Sequence, residues 1–369
     1  MFTYLGNLLK IAHGDFTLNP HIAVYYVTMQ CNLNCAYCED FGSRRNHLVT
    51  PAPPLEDARH ILKVIRTGVD RLWLTGGEPL MHPQLLDLLS YAQDNLNFHE
   101  ISLITNGTLL GNVVARNPSG VEAISTHKGI ASPSARNDML SYLDNLIISL
   151  DSLDPQALNM VSVPNAYADT VIANVYKAAS LQKVHNFKLI LNAVITPETL
   201  PSMEELLAFC IENHIHVSFS PQAINNLPRY DLVTSKEYHS FIEKAIELKK
   251  HGAPILGSYA YFNTLLDQTP YECYPTLVPR ILPDGWFTYP CRPMEKAGGE
   301  QGGRAVNLLS VDTWDEAWTI AKHKYGEAPT SCVSCFQQCY AEPSLMQAHP
   351  FEYLIETIRG NHLTTYAPG

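Results

Sequence analysis

The chain has 369 residues, with 25 Lys and Arg against 36 Asp and Glu, for a net charge of −11. No basic excess is present to neutralise phosphates, which argues against a broad electrostatic grip on nucleic acid or anionic lipid. The length suffices for a large core, either one big α/β barrel or two smaller domains.

The first sixteen residues, MFTYLGNLLKIAHGDF, lack the basic, apolar and small-residue regions of a signal peptide. They read as mature protein, with a cytoplasmic location as the expectation. No apolar run approaches the roughly 18 residues that a transmembrane helix needs. Residues 1–20 form a lead-in. Beyond them, apolar runs rich in β-branched residues predict strands at 22–28, 70–74, 100–104, 145–150, 187–194 and 214–218. Helical patterns separate these runs, the signature of βαβ units and a parallel sheet. The fold class is therefore α/β, a partial six-unit barrel of the TIM type over residues 21–255.

Met203, Leu206, Leu207, Cys210 and Ile211 follow the stripe of a helix packed on a sheet. Cys210 is read as a small apolar residue on that buried face. Ser202 with Glu205, and Thr234 with Glu237, have the spacing of capping boxes. Between 108 and 143 the pattern weakens into a loop rich in Ser, Gly, Pro and Asn, either a substrate cover or a tolerated insertion. After about residue 255 the βα rhythm stops, and Pro, Tyr, Gly and Cys dominate up to an amphipathic segment at 345–358.

Nine cysteines in a chain without an export signal point to metal ligation or catalysis rather than disulfides. Cys31, Cys35 and Cys38 follow the first strand in C-x3-C-x2-C spacing, so they emerge at the C-terminal edge of the sheet, where barrels place their chemistry. Three thiolates suit a four-iron cluster with one iron left open, whereas a structural zinc site wants four closed ligands. A zinc knuckle borrowing a distant fourth ligand is the competing reading.

In this spacing and position, Cys31, Cys35 and Cys38 resemble the signature of the radical S-adenosylmethionine (SAM) superfamily. The resemblance implies a [4Fe-4S] cluster whose open iron chelates SAM, and reductive cleavage of SAM to a 5′-deoxyadenosyl radical. It also places Tyr37 by the adenine. Thr75-Gly76-Gly77-Glu78-Pro79 ends the second strand. Paired glycines let backbone approach a neighbour closely, and Glu78 offers an acceptor for the methionine ammonium, like the family's GGEP motif. Asn106 lies in a Thr-Asn-Gly turn similar to one common after the third strand. Ser149 and Asp151 share one face of the fourth strand and resemble ribose and carboxylate contacts, although a strand-ending Asp also caps helices. Asn192 is polar in an apolar fifth strand, and either contacts SAM or is satisfied by backbone. Ser220, after the sixth strand, matches loosely where the family packs adenine.

Cys273 and Cys291 flank an Asp284-Gly285 turn of hairpin type, and Cys332, Cys335 and Cys339 follow. The set resembles the twitch domain, a shortened SPASM extension, which implies a small Cys-rich α+β unit over 256–369 holding one auxiliary [4Fe-4S] cluster. A four-cysteine zinc ribbon is the alternative. Cys339 is the spare: a replacement ligand, a free thiol near substrate, or structural.

These readings predict a radical SAM enzyme that abstracts hydrogen from an unidentified small-molecule, lipid or peptide substrate, with a net oxidative, oxidoreductase-like outcome. Only about twenty residues precede the first strand, which leaves no room for a peptide-recognition module and tilts the expectation toward a small molecule or lipid. The expected electron donor is a reductase with flavodoxin, or a ferredoxin. A redox-neutral transferase or epimerase on the same fold remains open, as does a non-catalytic iron-sulfur or zinc protein.

Overall fold

Each of the six apolar runs forms a strand: β1 (Ala23–Thr28), β2 (Arg71–Gly76), β3 (Glu100–Thr105), β4 (Asn145–Ser149), β5 (Lys188–Ile195) and β6 (His216–Pro221). In the computed structural model, which describes residues 2–38, 40–42, 52–111, 139–163, 168–298, 300, 302–328 and 335–358, these strands are parallel and lie side by side in chain order. Both faces of the sheet are covered, so the strands read as nearly continuous apolar runs.

Alternation along each strand sorts side chains into two cores. Ala23, Tyr25, Leu72, Leu74, Leu146, Ile148, Leu189 and Leu191 face outward onto helices. These include α2 (Leu55–Arg66), which buries Ala58, Ile61, Leu62 and Ile65. Val24, Tyr26, Trp73, Ile147 and Ile190 face the concave side, packed with Leu256, Tyr274, Leu277 and Met346 from later in the chain. The concave side is therefore filled at one end by the C-terminal third.

That third also extends the sheet. β7 (Arg280–Ile281) pairs in parallel with β1, placing Arg280 opposite Val24. A hairpin through Gly285, which takes the left-handed φ of 86°, leads to β8 (Trp286–Tyr289), and β9 (Gly303–Asn307) pairs antiparallel beyond it. After residue 255 helices and strands continue, but the strands join the sheet at its other side, beside β1. The nine-stranded sheet runs through, in the order β9-β8-β7-β1-β2-β3-β4-β5-β6.

Residues Phe2–Ala12, read from sequence as a lead-in, form helix α1, tied down by Tyr4 Oη donating to Met346 O at 2.9 Å. The 345–358 segment is divided between α11 (Gln338–Ala348) and α12 (Pro350–Ile358). Of the predicted 108–143 loop, residues 112–138 lie outside the described residues. No helix among the described residues is long and apolar enough to cross a membrane.

Neither capping box forms. Ser202 precedes α6 (Met203–Glu212), but the chain enters through a 3-10 turn that leaves Ser202 near helical backbone angles. Its hydroxyl therefore donates to Thr199 O at 2.9 Å instead of capping. Before α7 (Lys236–Lys250) the cap is one residue later, with Ser235 Oγ accepting from Tyr238 N, while Thr234 donates back to Tyr230 O. Cys210 is fully buried among apolar neighbours, and burial pushes its thiol up to about 12.

Candidate active site

The loop after β1 is fixed from both sides. Gly77 N donates to Thr28 O at 2.9 Å, and Glu78 N donates to Gln30 O at 2.8 Å. A Cβ on Gly76 would stand 2.1 Å from Thr28 O, and one on Gly77 would stand 2.2 Å from Gln30 O. The close approach that the paired glycines allow is thus made by the chain itself, at the residues leading into Cys31. On the other side, Asn34–Cys35 pairs antiparallel with Ser162–Val163, and Ala36 N donates to Val161 O at 2.7 Å.

Each of the three thiols receives a hydrogen bond. Leu33 N donates to Cys31 Sγ at 3.4 Å, Ser162 Oγ to Cys35 Sγ at 3.2 Å, and Phe41 N to Cys38 Sγ at 3.4 Å. The thiols lie within one another's field, which together with burial pushes Cys31 up to about 11 and Cys35 up to about 12. Among the described residues, no three His, Cys, Asp or Glu side chains close on a point where a single ion could sit. Soft thiols pre-ordered by donors to sulfur fit an iron-sulfur cluster, whose potential such donors tune.

Glu78 is fully buried. Its oxygens accept from Leu80 N at 3.0 Å, Thr105 Oγ1 at 2.7 Å and Asn106 N at 2.8 Å. Burial raises its carboxyl to about 7 against the pull of these donors. The residue read from sequence as an ammonium acceptor therefore also ties the end of β2 to the end of β3. Asn106 in turn donates to Asn32 Oδ1 at 2.9 Å, between the first two cysteines.

Tyr37 and Asp151, 114 positions apart, meet: Tyr37 Oη donates to Asp151 Oδ2 at 2.5 Å, and Val194 N donates to Oδ1 at 2.9 Å. Burial raises Asp151 to about 6. Ser149, Asn192 and Ser218 lie in register across β4, β5 and β6, and Ser218 Oγ donates to Asn192 Oδ1 at 2.9 Å. The Asn192 oxygen is thus met by a side chain rather than by backbone. Tyr37, Cys38, Asn192 and Ser220 line a cavity of about 400 Å³, whose opposite wall carries Arg280, Arg292, Gln338 and Cys339.

Of the C-terminal cysteines, Cys273, Cys291 and Cys335 are buried in the outer core with Tyr271, Tyr289 and Phe336. Cys332 lies outside the described residues. Cys339 differs: it lines the cavity and accepts from Arg280 Nη2 at 2.8 Å. Arg280 and Ser162 are site residues that the sequence reading missed. An arginine beside a Pro-rich turn and a serine after a helix carry no pattern that marks them.

Residues 25–191, from β1 into β5, match the family model described as the radical SAM superfamily. Among curated proteins, the chain is 31% identical over 195 residues to GTP 3′,8-cyclase of Acidothermus cellulolyticus, covering 51% of this chain and 47% of the relative. It is 26% identical over 227 residues to a probable GTP 3′,8-cyclase of Methanococcus aeolicus, covering 60% and 64%. A third relative is an S-adenosylmethionine-dependent nucleotide dehydratase of Selenomonas ruminantium, at 25% identity over 241 residues, 62% of this chain and 77% of that one. The chain thus spans less than two thirds of the cyclases' length.

Two solved structures share the fold. Streptococcus suis SuiB bound to S-adenosylmethionine superposes with a TM-score of 0.59 at 19% identity, over 86% of this chain and 71% of that one. anSMEcpe with bound AdoMet gives 0.58 at 15% identity, over 92% and 99%. With the cysteine motif held at the C-terminal edge of six parallel strands and the family model spanning Cys31 to Asp151, residues 25–191 form a radical SAM domain, of the superfamily whose cofactors are a [4Fe-4S] cluster and SAM.

Proposed function

We propose that the chain is a radical SAM enzyme acting on a small polar molecule held between the barrel and its C-terminal third. The observation that carries this reading is the shared cavity. Tyr37 and Cys38 from the cysteine loop and Arg280, Gln338 and Cys339 from the C-terminal segment line one space of about 400 Å³. That volume has to take SAM as well as the substrate, which favours a compact substrate over a lipid chain. The names of the cyclase and dehydratase relatives, which concern GTP and nucleotides, support the same choice.

Cys31, Cys35 and Cys38 would hold the cluster. When bound, it supplies the electron that splits SAM and so starts hydrogen-atom abstraction from the substrate. Gly76, Gly77, Glu78 and Pro79, with Asn106, Ser149, Asp151, Asn192 and Ser220, are the proposed surroundings of SAM. Asp151 is oriented by Tyr37 and Val194 N, so its carboxylate has one position. The apolar floor of Val24, Trp73, Ile104, Ile147 and Ile190 keeps water from the reacting carbon.

An auxiliary [4Fe-4S] cluster on Cys273, Cys291, Cys332 and Cys335 completes the reading, supported by the burial of the three described members. The engagement of Cys339 with Arg280 favours its being the free thiol near substrate. A net oxidation, with a flavodoxin or ferredoxin as donor, is the favoured outcome.

Anaerobic reconstitution, then dithionite and SAM, should yield 5′-deoxyadenosine. Alanine at Cys31, Cys35 and Cys38 together should abolish it while leaving the auxiliary iron and sulfide in place. Wild-type protein with an intact cluster that releases no 5′-deoxyadenosine under several reductants would overturn the reading.

A further inference from the structure

Arg280 is a half-buried charged group that lines the cavity and has no carboxylate partner among the described residues. Its Nε donates to Tyr340 Oη at 2.8 Å, Nη1 to Tyr26 Oη at 2.6 Å, and Nη2 to Cys339 Sγ at 2.8 Å. The guanidinium also lies over the rings of Tyr340 at 5.0 Å and Tyr26 at 5.8 Å. Phenols and ring faces orient a cation and offset part of its desolvation. They do not neutralise it. A charge drawn partly out of water without a counter-charge is costly, and a guanidinium cannot shed its proton to escape that cost.

The surroundings point the same way. Although the whole chain carries a net charge of −11, the described residues of the cavity lining carry Arg280, Arg292 and Lys296 and one carboxylate, Asp40. Asp40 is already engaged, 3.3 Å from Arg292 and 3.2 Å from Lys296, and Arg292 is also paired with Glu295, so these charges answer one another and Arg280 is left without a share. These three bonds use three of the five N–H groups of Arg280, and the residue faces the cavity.

We infer that Arg280 is an anion receptor in the substrate cavity, and that the substrate bears an oxyanion, a carboxylate or a phosphate, which supplies the missing counter-charge. Tyr26 and Tyr340 hold the guanidinium in place before the substrate arrives, so binding does not have to order it. This deepens the proposed function, since it rests on the cavity being the substrate site, but it is tested without turnover.

The experiment is thermal unfolding and calorimetric titration of reconstituted protein with pyrophosphate, GTP, succinate or citrate, and with guanosine as the uncharged control. At least one anionic probe should bind and raise the melting temperature, and whichever does so identifies phosphate or carboxylate as the source. R280Q and R280M should weaken that binding at least about thirtyfold, the consequence of deleting one partner of a buried charge pair. Both variants should melt no lower than wild type without the probe, because an uncompensated charge has been removed. SAM binding by both should be unchanged, so loss of SAM binding or cleavage in wild type would count against the enzyme reading and not against this one. Equal anion binding in R280Q and wild type would overturn the inference. So would the absence of binding by every anionic probe at millimolar concentration. Anion binding that appears only in C339A would assign the counter-charge to the thiol and overturn it as well.

Discussion

Ser162 Oγ lies 3.2 Å from Cys35 Sγ, across 127 positions of sequence, and donates to it. The contact is built rather than incidental. Cys35 and Ser162 are register partners in a short antiparallel bridge, Ala36 N donates to Val161 O beside it, and Ser162 is 2% exposed. A segment leaving α4 (Pro155–Val161) thus grips the middle of the cysteine loop from the side opposite the GGEP turn.

Removing that hydroxyl should alter the cluster without removing it. Donors to thiolate sulfur stabilise the more negative, reduced state, so S162A should lower the reduction potential. One lost hydrogen bond is worth about 1 kcal/mol, or about 40 mV for a single electron. S162T should restore most of it. An EPR-monitored redox titration reads the shift, with iron content as the control. An unchanged potential in S162A at full iron content would show that the hydroxyl does not reach the sulfur.

Gly76 and Gly77 are required by contact with backbone, which cannot move aside as a flexible side chain would. G77A should therefore cost on the order of 3 kcal/mol and displace the run into Cys31, so both stability and iron incorporation fall. The comparison is G252A, where φ is 88° but nothing lies within 4 Å of the added Cβ. That variant should lose only about 1 kcal/mol, from left-handed backbone strain, with iron incorporation intact. Denaturant titration and iron assay of both proteins decide it.

On the proposed role of Asp151 at SAM, its bond with Tyr37 makes SAM affinity sensitive to a hydroxyl. Y37F keeps the ring but frees one carboxylate oxygen of Asp151. A lost hydrogen bond to a charged group costs about 1.5–3 kcal/mol, so SAM should bind roughly 10- to 100-fold more weakly at unchanged cluster content. Equilibrium binding of SAM to the reconstituted variant measures it. Wild-type affinity in Y37F would remove Asp151 orientation from the account.

The six barrel strands were legible because burial on both faces leaves an uninterrupted apolar run, a signal independent of what packs against it. The cysteine motif and the paired glycines were legible for a similar local reason. What the glycines approach was not, since only the fold brings Gly76 and Gly77 against Thr28 and Gln30. Strand β7 is two residues long, too short for any periodicity to announce, and depends on pairing across more than 250 positions with β1. Ser202 and Thr234 had the right spacing for caps, but backbone angles at the helix entry decide which hydroxyl can turn inward, and spacing does not encode them. Arg280 looks like a solvated turn residue until β7 places it opposite Val24 on the concave face.

A last prediction concerns how the C-terminal helices are held. Glu342 of α11 is fully buried and accepts from Ser258 N at 2.8 Å and Ser258 Oγ at 2.9 Å. Burial raises its carboxyl from 4.5 to about 7, outweighing those two donors and the nearby Lys249, with Glu356 adding to the rise. A carboxyl whose folded value exceeds its unfolded one favours folding most when protonated. Its contribution is complete below about pH 4.5 and is lost as pH rises through about 7. The loss amounts to on the order of 3 kcal/mol. E342Q keeps the shape and can keep both bonds to Ser258, but cannot ionise. The stability difference between E342Q and wild type should therefore grow in favour of the variant from pH 4.5 to 7 and level off above. Taking the difference cancels the parallel contributions of Glu78 and Asp151, which burial also raises. Denaturant unfolding across that range gives the curve, and a flat one would mean that Glu342 stays ionised in the fold, with Lys249 supplying its counter-charge.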